Sequence, residues 1–193
     1  MSAAARTPPN VLAQQRRSPA DGPPAGDAQL RRLSAPAEPG ETYGALGTLS
    51  IVAGMLHAKA MVDHATHYWP FGVFFGLLTC WQTAWGVGAC RARLHRPALV
   101  AGAWVNAGVV LLWLISRTVG LPIGPWAGEP EAVGMIDIMA SLDELLIVAM
   151  VASLVSAVRR PAFAWLRGGY AVRLGIMLST VSLFALTIGG HTH

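Results

Sequence analysis

Residues 98–119, ALVAGAWVNAGVVLLWLISRTV, decide the fold. The only charge in this run is Arg117, close to its end. As a helix rising ~1.5 Å per residue, such a run is long enough to cross the ~30 Å hydrocarbon core of a bilayer. Working outward, four more runs of similar length occur at about 43–62, 70–90, 133–158 and 170–188. Closely spaced apolar runs of this length are a membrane pattern, and the sequence predicts an all-α, polytopic transmembrane helix bundle of about five spans. The second run starts at Pro70, where a missing N–H is tolerated because the first turn leaves its N–H groups unpaired anyway. The first and fourth runs carry several polar groups and are the weaker membrane signals.

Composition agrees. Hydrophobic residues make up 53% of the 193 and charged residues only 12%, against ~25% charged in soluble domains. The basic pI of about 9.7 comes almost wholly from arginine, with Lys59 the single lysine. In a membrane protein such charge reads as basic cytoplasmic loops, so nucleic acid is not expected as a partner. The bias toward Ala, Gly, Pro and Arg points to a high-GC bacterial source. Cys80 and Cys90 lie ten positions apart in one run, ~15 Å along a helix, too far to pair, and read as small packing residues.

The loops orient the chain. Arg91, Arg93 and Arg96 follow the second run, Arg159, Arg160 and Arg167 follow the fourth, and five arginines precede the first. With five spans these regions share one side, which the positive-inside rule makes cytoplasmic: N-terminus in, C-terminus out, in the plasma (inner) membrane of a bacterium. Residues 1–42, with seven prolines and few large apolar side chains, read as a disordered cytoplasmic tail with no signal-peptide core. Residues 43–190 form the bundle, and 191–193 an external, histidine-containing C-terminus. Tyr68, Trp69 and Trp126 fall near the outer interface and Trp165 and Tyr170 near the inner one, as aromatic belts do. Gly72-Val-Phe-Phe-Gly76 is a GxxxG pattern, which permits close helix approach.

This orientation puts five of the six histidines outside. His57, His64 and His67 lie on one flank of the first helix, His64 about 20° and His67 about 80° from His57. Met61 lies among them and Asp63 beside His67. His191 and His193 end the chain. Together they are candidate metal ligands: imidazole with thioether suits copper, imidazole with carboxylate suits zinc. The same histidines can instead titrate near neutral pH or simply sit at the interface. Haem ligation by His57 is a further reading. No HExxH or CxxC motif is present.

A second set of polar groups lies inside the membrane. Asp137, Asp143 and Glu144 fall in the fourth run, Glu144 ~15 Å into it, near the midplane. An ionised carboxylate at that depth costs on the order of 3 kcal/mol or more, so it must be protonated, paired or hydrated. Gln82 and Asn106 lie at comparable depth and are its candidate partners. Arg117, closing the third run, is expected to pair with Asp137, with Glu129 and Glu131 as competitors. The intervening stretch, rich in Gly and Pro, reads as an ordered external cap.

Ser116-Arg-Thr-Val-Gly-Leu-Pro-Ile-Gly-Pro125 followed by Gly128-Glu-Pro-Glu131 resembles a pattern in small uncharacterised multi-pass membrane proteins of high-GC bacteria. Such proteins also carry an outward histidine near the first helix and a tryptophan-rich second helix. The resemblance covers about residues 44–158. It implies a topology and no activity, so no catalytic residue follows from it, and an enzyme is not the leading expectation. The sequence thus leads first to a protein that binds or transfers a transition-metal ion at its outer face. The alternatives are a haem- or quinone-linked redox subunit and a structural or assembly subunit. Beyond the lipid bilayer, the expected partners are a second copy or a larger membrane complex.

Overall fold

The computed structural model describes residues 38–156 and 169–189. The tail through residue 37, the loop with Arg159, Arg160, Trp165 and Arg167, and His191 and His193 lie outside the described residues. Among the described residues there are five helices and no strand: α1 Pro39–Ala65, α2 Trp69–Cys90, α3 Arg96–Thr118, α4 Met135–Val155 and α5 Gly169–Gly189. All five are long and apolar enough to cross a membrane. This is the all-α architecture of a multi-pass membrane protein.

Local chemistry sets the helix ends. Pro39, Pro70 and Pro97 stand in the first turns of α1, α2 and α3, where proline's fixed φ suits the helix and its missing N–H is not needed. Glu41 reaches back to the Glu38 N–H at 3.2 Å and caps α1. Asp137 does the same for α4, accepting from the Gly134 N–H at 2.9 Å. At the far end of α4, Arg96 donates to the Val155 carbonyl at 3.0 Å, a cation at a helix C-terminus where the peptide dipoles favour one.

α1 is the central helix, packing against α2, α4 and α5, while α3 packs chiefly on α4. Lipid tails are as apolar as leucine, so close backbone approach must hold such helices together. A seam of small residues supplies it between α1 and α2. A Cβ on Gly47 would stand 2.5 Å from the Gly86 carbonyl oxygen, and one on Gly72 would stand 2.7 Å from Ala65 Cβ. Gly54 faces Thr79 and Thr83, and Gly76 faces the Met61 sulfur. The GxxxG of α2 is therefore spent on α1, within the chain.

α2 and α3, although consecutive, make little contact with each other. They meet near one end, where the Trp85 indole lies flush on Gly102 and donates to the Ala98 carbonyl at 2.8 Å, and where Gln82 reaches Asn106 at 3.3 Å. Toward the other end they diverge. That other end, called the loop end here, carries the α1–α2 turn and the α3–α4 connection. The connection is ordered by hydrogen bonds from Gly128 N to Leu121 O at 2.8 Å and from Glu131 N to Ser116 O at 3.0 Å. Gly120 at φ +77° stands against Gly128 and Glu129, a left-handed conformation and a close contact that only glycine accepts at low cost.

A candidate intramembrane site between four helices

The divergence of α2 from α3 leaves a cavity of about 380 Å³ between α1, α2, α3, α4 and the α3–α4 connection. Its walls are largely apolar, with Leu56, Phe71, Phe74, Phe75, Leu112 and Ile136 among them. Two polar groups bound it, one at its inner end and one near the loop end.

The inner end is a hydrogen-bonded network gathered from four helices. His57 Nε2 lies 2.9 Å from Glu144 Oε1, with the histidine 4% and the glutamate 1% exposed. Gln82 Nε2 donates to the same Glu144 oxygen at 3.2 Å and to Asn106 Oδ1 at 3.3 Å. Asn106 donates back to the Gly102 carbonyl at 2.8 Å, and Ser50 to the Gln82 carbonyl at 2.8 Å. A buried carboxylate that accepts from an imidazole and an amide is compensated in the way a low-dielectric interior requires. Among the described residues Glu144 Oε2 and His57 Nδ1 make no hydrogen bond, neither is sealed off, and both residues line the cavity. Each group thus keeps one atom available to a ligand.

Near the loop end stands Arg117, its side chain 10% exposed, donating to Asp137 at 2.7 Å and also to Glu131. The pair expected between Arg117 and Asp137 is present, and Glu131 joins it as a second partner. Trp113 Nε1 and Arg117 Nε are buried without a partner among the described residues; both side chains line the cavity, but these two nitrogens are themselves closed off from it. Trp113 lies seven residues beyond Asn106 on α3, ~10 Å along the axis. The cavity therefore presents an imidazole–carboxylate pair at one end, with the Trp113 and Arg117 side chains in its wall about two helical turns away.

The outer cluster expected from the sequence is distributed differently. α1 continues to Ala65 and carries His57 and His64, whereas His67 lies in the turn that follows. His57 turns into the cavity. His64 stacks on Phe75 at 5.1 Å and lines both this cavity and a second one of about 410 Å³ at the surface. The second cavity is bounded by Asp63, His64, His67, Trp126, Glu129 and Glu131. Asp63 is paired with Lys59 at 2.7 Å, His67 Nδ1 is 2.9 Å from the Asp63 carbonyl oxygen, and Glu131 is held by Arg117. Met61 packs against Gly76. Among the described residues, no group of three or more His, Cys, Asp and Glu side chains is disposed to hold a metal ion.

Three features escaped the sequence reading. The Trp85–Gly102 contact between α2 and α3 has no local signal beyond a tryptophan and a glycine on neighbouring helices. Trp113 is one of several tryptophans. Ser179 and Ser182, buried on α5, do leave a trace: two hydroxyls three residues apart in an apolar run.

Comparison of the chain with protein-family models, with curated proteins and with solved structures finds no match in any of the three.

Proposed function

We propose that this membrane protein binds a small lipophilic molecule of the quinone class in the 380 Å³ cavity and exchanges a proton with it through His57 and Glu144. The carrying observation is a proton-active couple at one end of an apolar cavity walled by aromatic rings. A flat ring with an oxygen at each end suits such a cavity. Its inner oxygen meets His57 Nδ1, and a small turn of the Trp113 or Arg117 side chain would bring an unpaired N–H to its outer carbonyl. A ligand hydroxyl gives its proton to Nδ1 while Nε2 releases one to Glu144 Oε1, so the ring passes charge without keeping it. This is the redox-linked reading of the chain, with electrons supplied or removed by a partner in the membrane. The proposal includes the plasma membrane as location and the N-terminus in the cytoplasm, which sets the loop end outward.

The test is binding. Protein purified in detergent is titrated with a short-chain ubiquinone or menaquinone analogue, with tryptophan fluorescence and thermal unfolding as readouts. Saturable quenching, a raised unfolding temperature, and weakening of both by at least tenfold in His57→Leu are expected. An unfolding temperature that does not move at saturating analogue would overturn the reading.

A metal site at the surface cavity is the second reading, favoured by the gathering of Asp63, His64, His67, Glu129 and Glu131 around it. Copper and zinc are its candidate ions. It requires Asp63 and Glu131 to leave their present cations. Isothermal titration with either ion, compared between the natural chain and a His64→Ala/His67→Ala variant, decides it: identical isotherms remove the reading.

A further inference from the structure

Asp143 is the neighbour of Glu144 in sequence but, ~100° around the helix, faces a different side. It is fully buried, and neither carboxylate oxygen has a hydrogen-bond partner among the described residues. No ion pair reaches it among the described residues either: His57 is committed to Glu144, and Arg117 and Lys59 to other acids. Beside it, on α5, stands Ser182. Its hydroxyl oxygen is buried and unpartnered, as is that of Ser179 one turn earlier on the same face. The serines' condition is unusual within this bundle. Ser153 and Thr180 return their hydroxyls to a carbonyl of their own helix at 2.7 and 2.8 Å, the common resolution for a hydroxyl in an apolar helix. Ser179 and Ser182 do not.

Four buried oxygen atoms on α4 and α5 thus make no well-aligned hydrogen bond among the described residues: two of Asp143, one of Ser182, which lies within reach of that carboxylate, and one of Ser179 a turn away on the same face. All can accept, and only the hydroxyls can donate. Oxygen-only sets of this kind suit hard cations. A single carboxylate in a water-free interior neutralises one positive charge, which selects a monovalent ion over a divalent one. We propose that Asp143, Ser182 and Ser179 form a site for a sodium-sized monovalent cation between α4 and α5, separate from the cavity on the other side of α4. The carboxylate anchors the ion, and the hydroxyls replace part of its hydration shell.

The experiment compares sodium with choline chloride at equal ionic strength. Purified protein is treated with dicyclohexylcarbodiimide, which modifies protonated buried carboxyls, and the product is mapped by fragment mass spectrometry to separate Asp143 from Glu144. Sodium is expected to slow Asp143 modification at least tenfold while leaving Glu144 unaffected, and to raise the unfolding temperature. Ser182→Ala, which retains the carboxylate and a helix-compatible side chain, should lose most of the sodium protection while still being modified. Equal modification of Asp143 in sodium and choline would overturn the proposal and assign a bound proton instead. Full sodium protection in Ser182→Ala would overturn the assigned ligands. A quinone analogue that fails to bind leaves these outcomes unchanged, so the two proposals fail separately.

Discussion

The His57–Glu144 pair makes a quantitative prediction through a double-mutant cycle. Replacing His57 by Leu leaves Glu144, 1% exposed, with only the Gln82 amide as partner. Breaking a buried pair in this way costs about 3–5 kcal/mol. Replacing Glu144 by Leu instead leaves His57 Nε2 and one Gln82 N–H without an acceptor. At roughly 1–3 kcal/mol for each abandoned group, the loss is about 2–6 kcal/mol. The double variant abandons less: the imidazole and the carboxylate are both gone, and Gln82 keeps its bond to Asn106. It should therefore lose less than the sum of the singles, by at least about 2 kcal/mol, or roughly thirtyfold in the unfolding equilibrium. The assay is reversible unfolding in mixed micelles with increasing dodecyl sulfate, followed by circular dichroism. Additivity within about 0.5 kcal/mol would refute the argument, because it would mean that the two side chains do not depend on one another.

Three other outcomes follow from the packing. A Cβ on Gly102 would stand 2.3 Å from the Trp85 indole, so Gly102→Val should destabilise by about 1–3 kcal/mol through overpacking. Gly108→Ala on the same helix has nothing within 4 Å and should be neutral or slightly stabilising; thermal unfolding compares them. Gly120→Ala combines φ +77° with a backbone contact at 2.5 Å; it should cost at least about 1–2 kcal/mol and speed limited proteolysis within 119–134. Arg117→Gln leaves Glu131 and Asp137 without their shared cation. The expected loss is about 1–3 kcal/mol, which Arg117→Lys restores only in part because a lysine lacks the fork that engages both acids. The readout is again the unfolding midpoint.

The five helices were legible because a bilayer imposes a length and a polarity on every segment, and both are written in local sequence. Boundaries moved by a few residues, most at α1, whose start at Pro39 extends the apolar run through a capped first turn. The partners of Arg117 were legible for a related reason: adjacent spans joined by a short connection bring their ends together. Which helix occupies the centre was not written so locally. α1 is the central helix and carries Ser50, His57 and several glycines, a mixture that a lipid-facing helix would not favour, yet the apolar runs alone do not rank the helices. The histidine stripe illustrates the same difficulty. A spacing of seven places His57 and His64 on one face of α1, but depth along the axis decides their company: His57 reaches Glu144, while His64 reaches Phe75 and the rim of a different cavity. Likewise, the sequence places Asp143 in the fourth run without indicating that Ser182 of α5 stands beside it.

The sparse contact between α2 and α3 also bears on how a binding experiment must be expressed. These helices touch where Trp85 meets Gly102, and the cavity wall beyond that point is made by Phe74 on one side and Val109 and Leu112 on the other. No tightly packed ridge joins the two sides there. A ligand of the proposed class that reached His57 between these walls would come sideways, out of the acyl chains. A lipophilic ligand arriving by that path is counted by its mole fraction in the bilayer or micelle, not by its molarity in the buffer. Affinities referred to aqueous concentration should then drift in proportion to the amount of lipid or detergent added, and collapse onto one value when referred to the amphiphile phase.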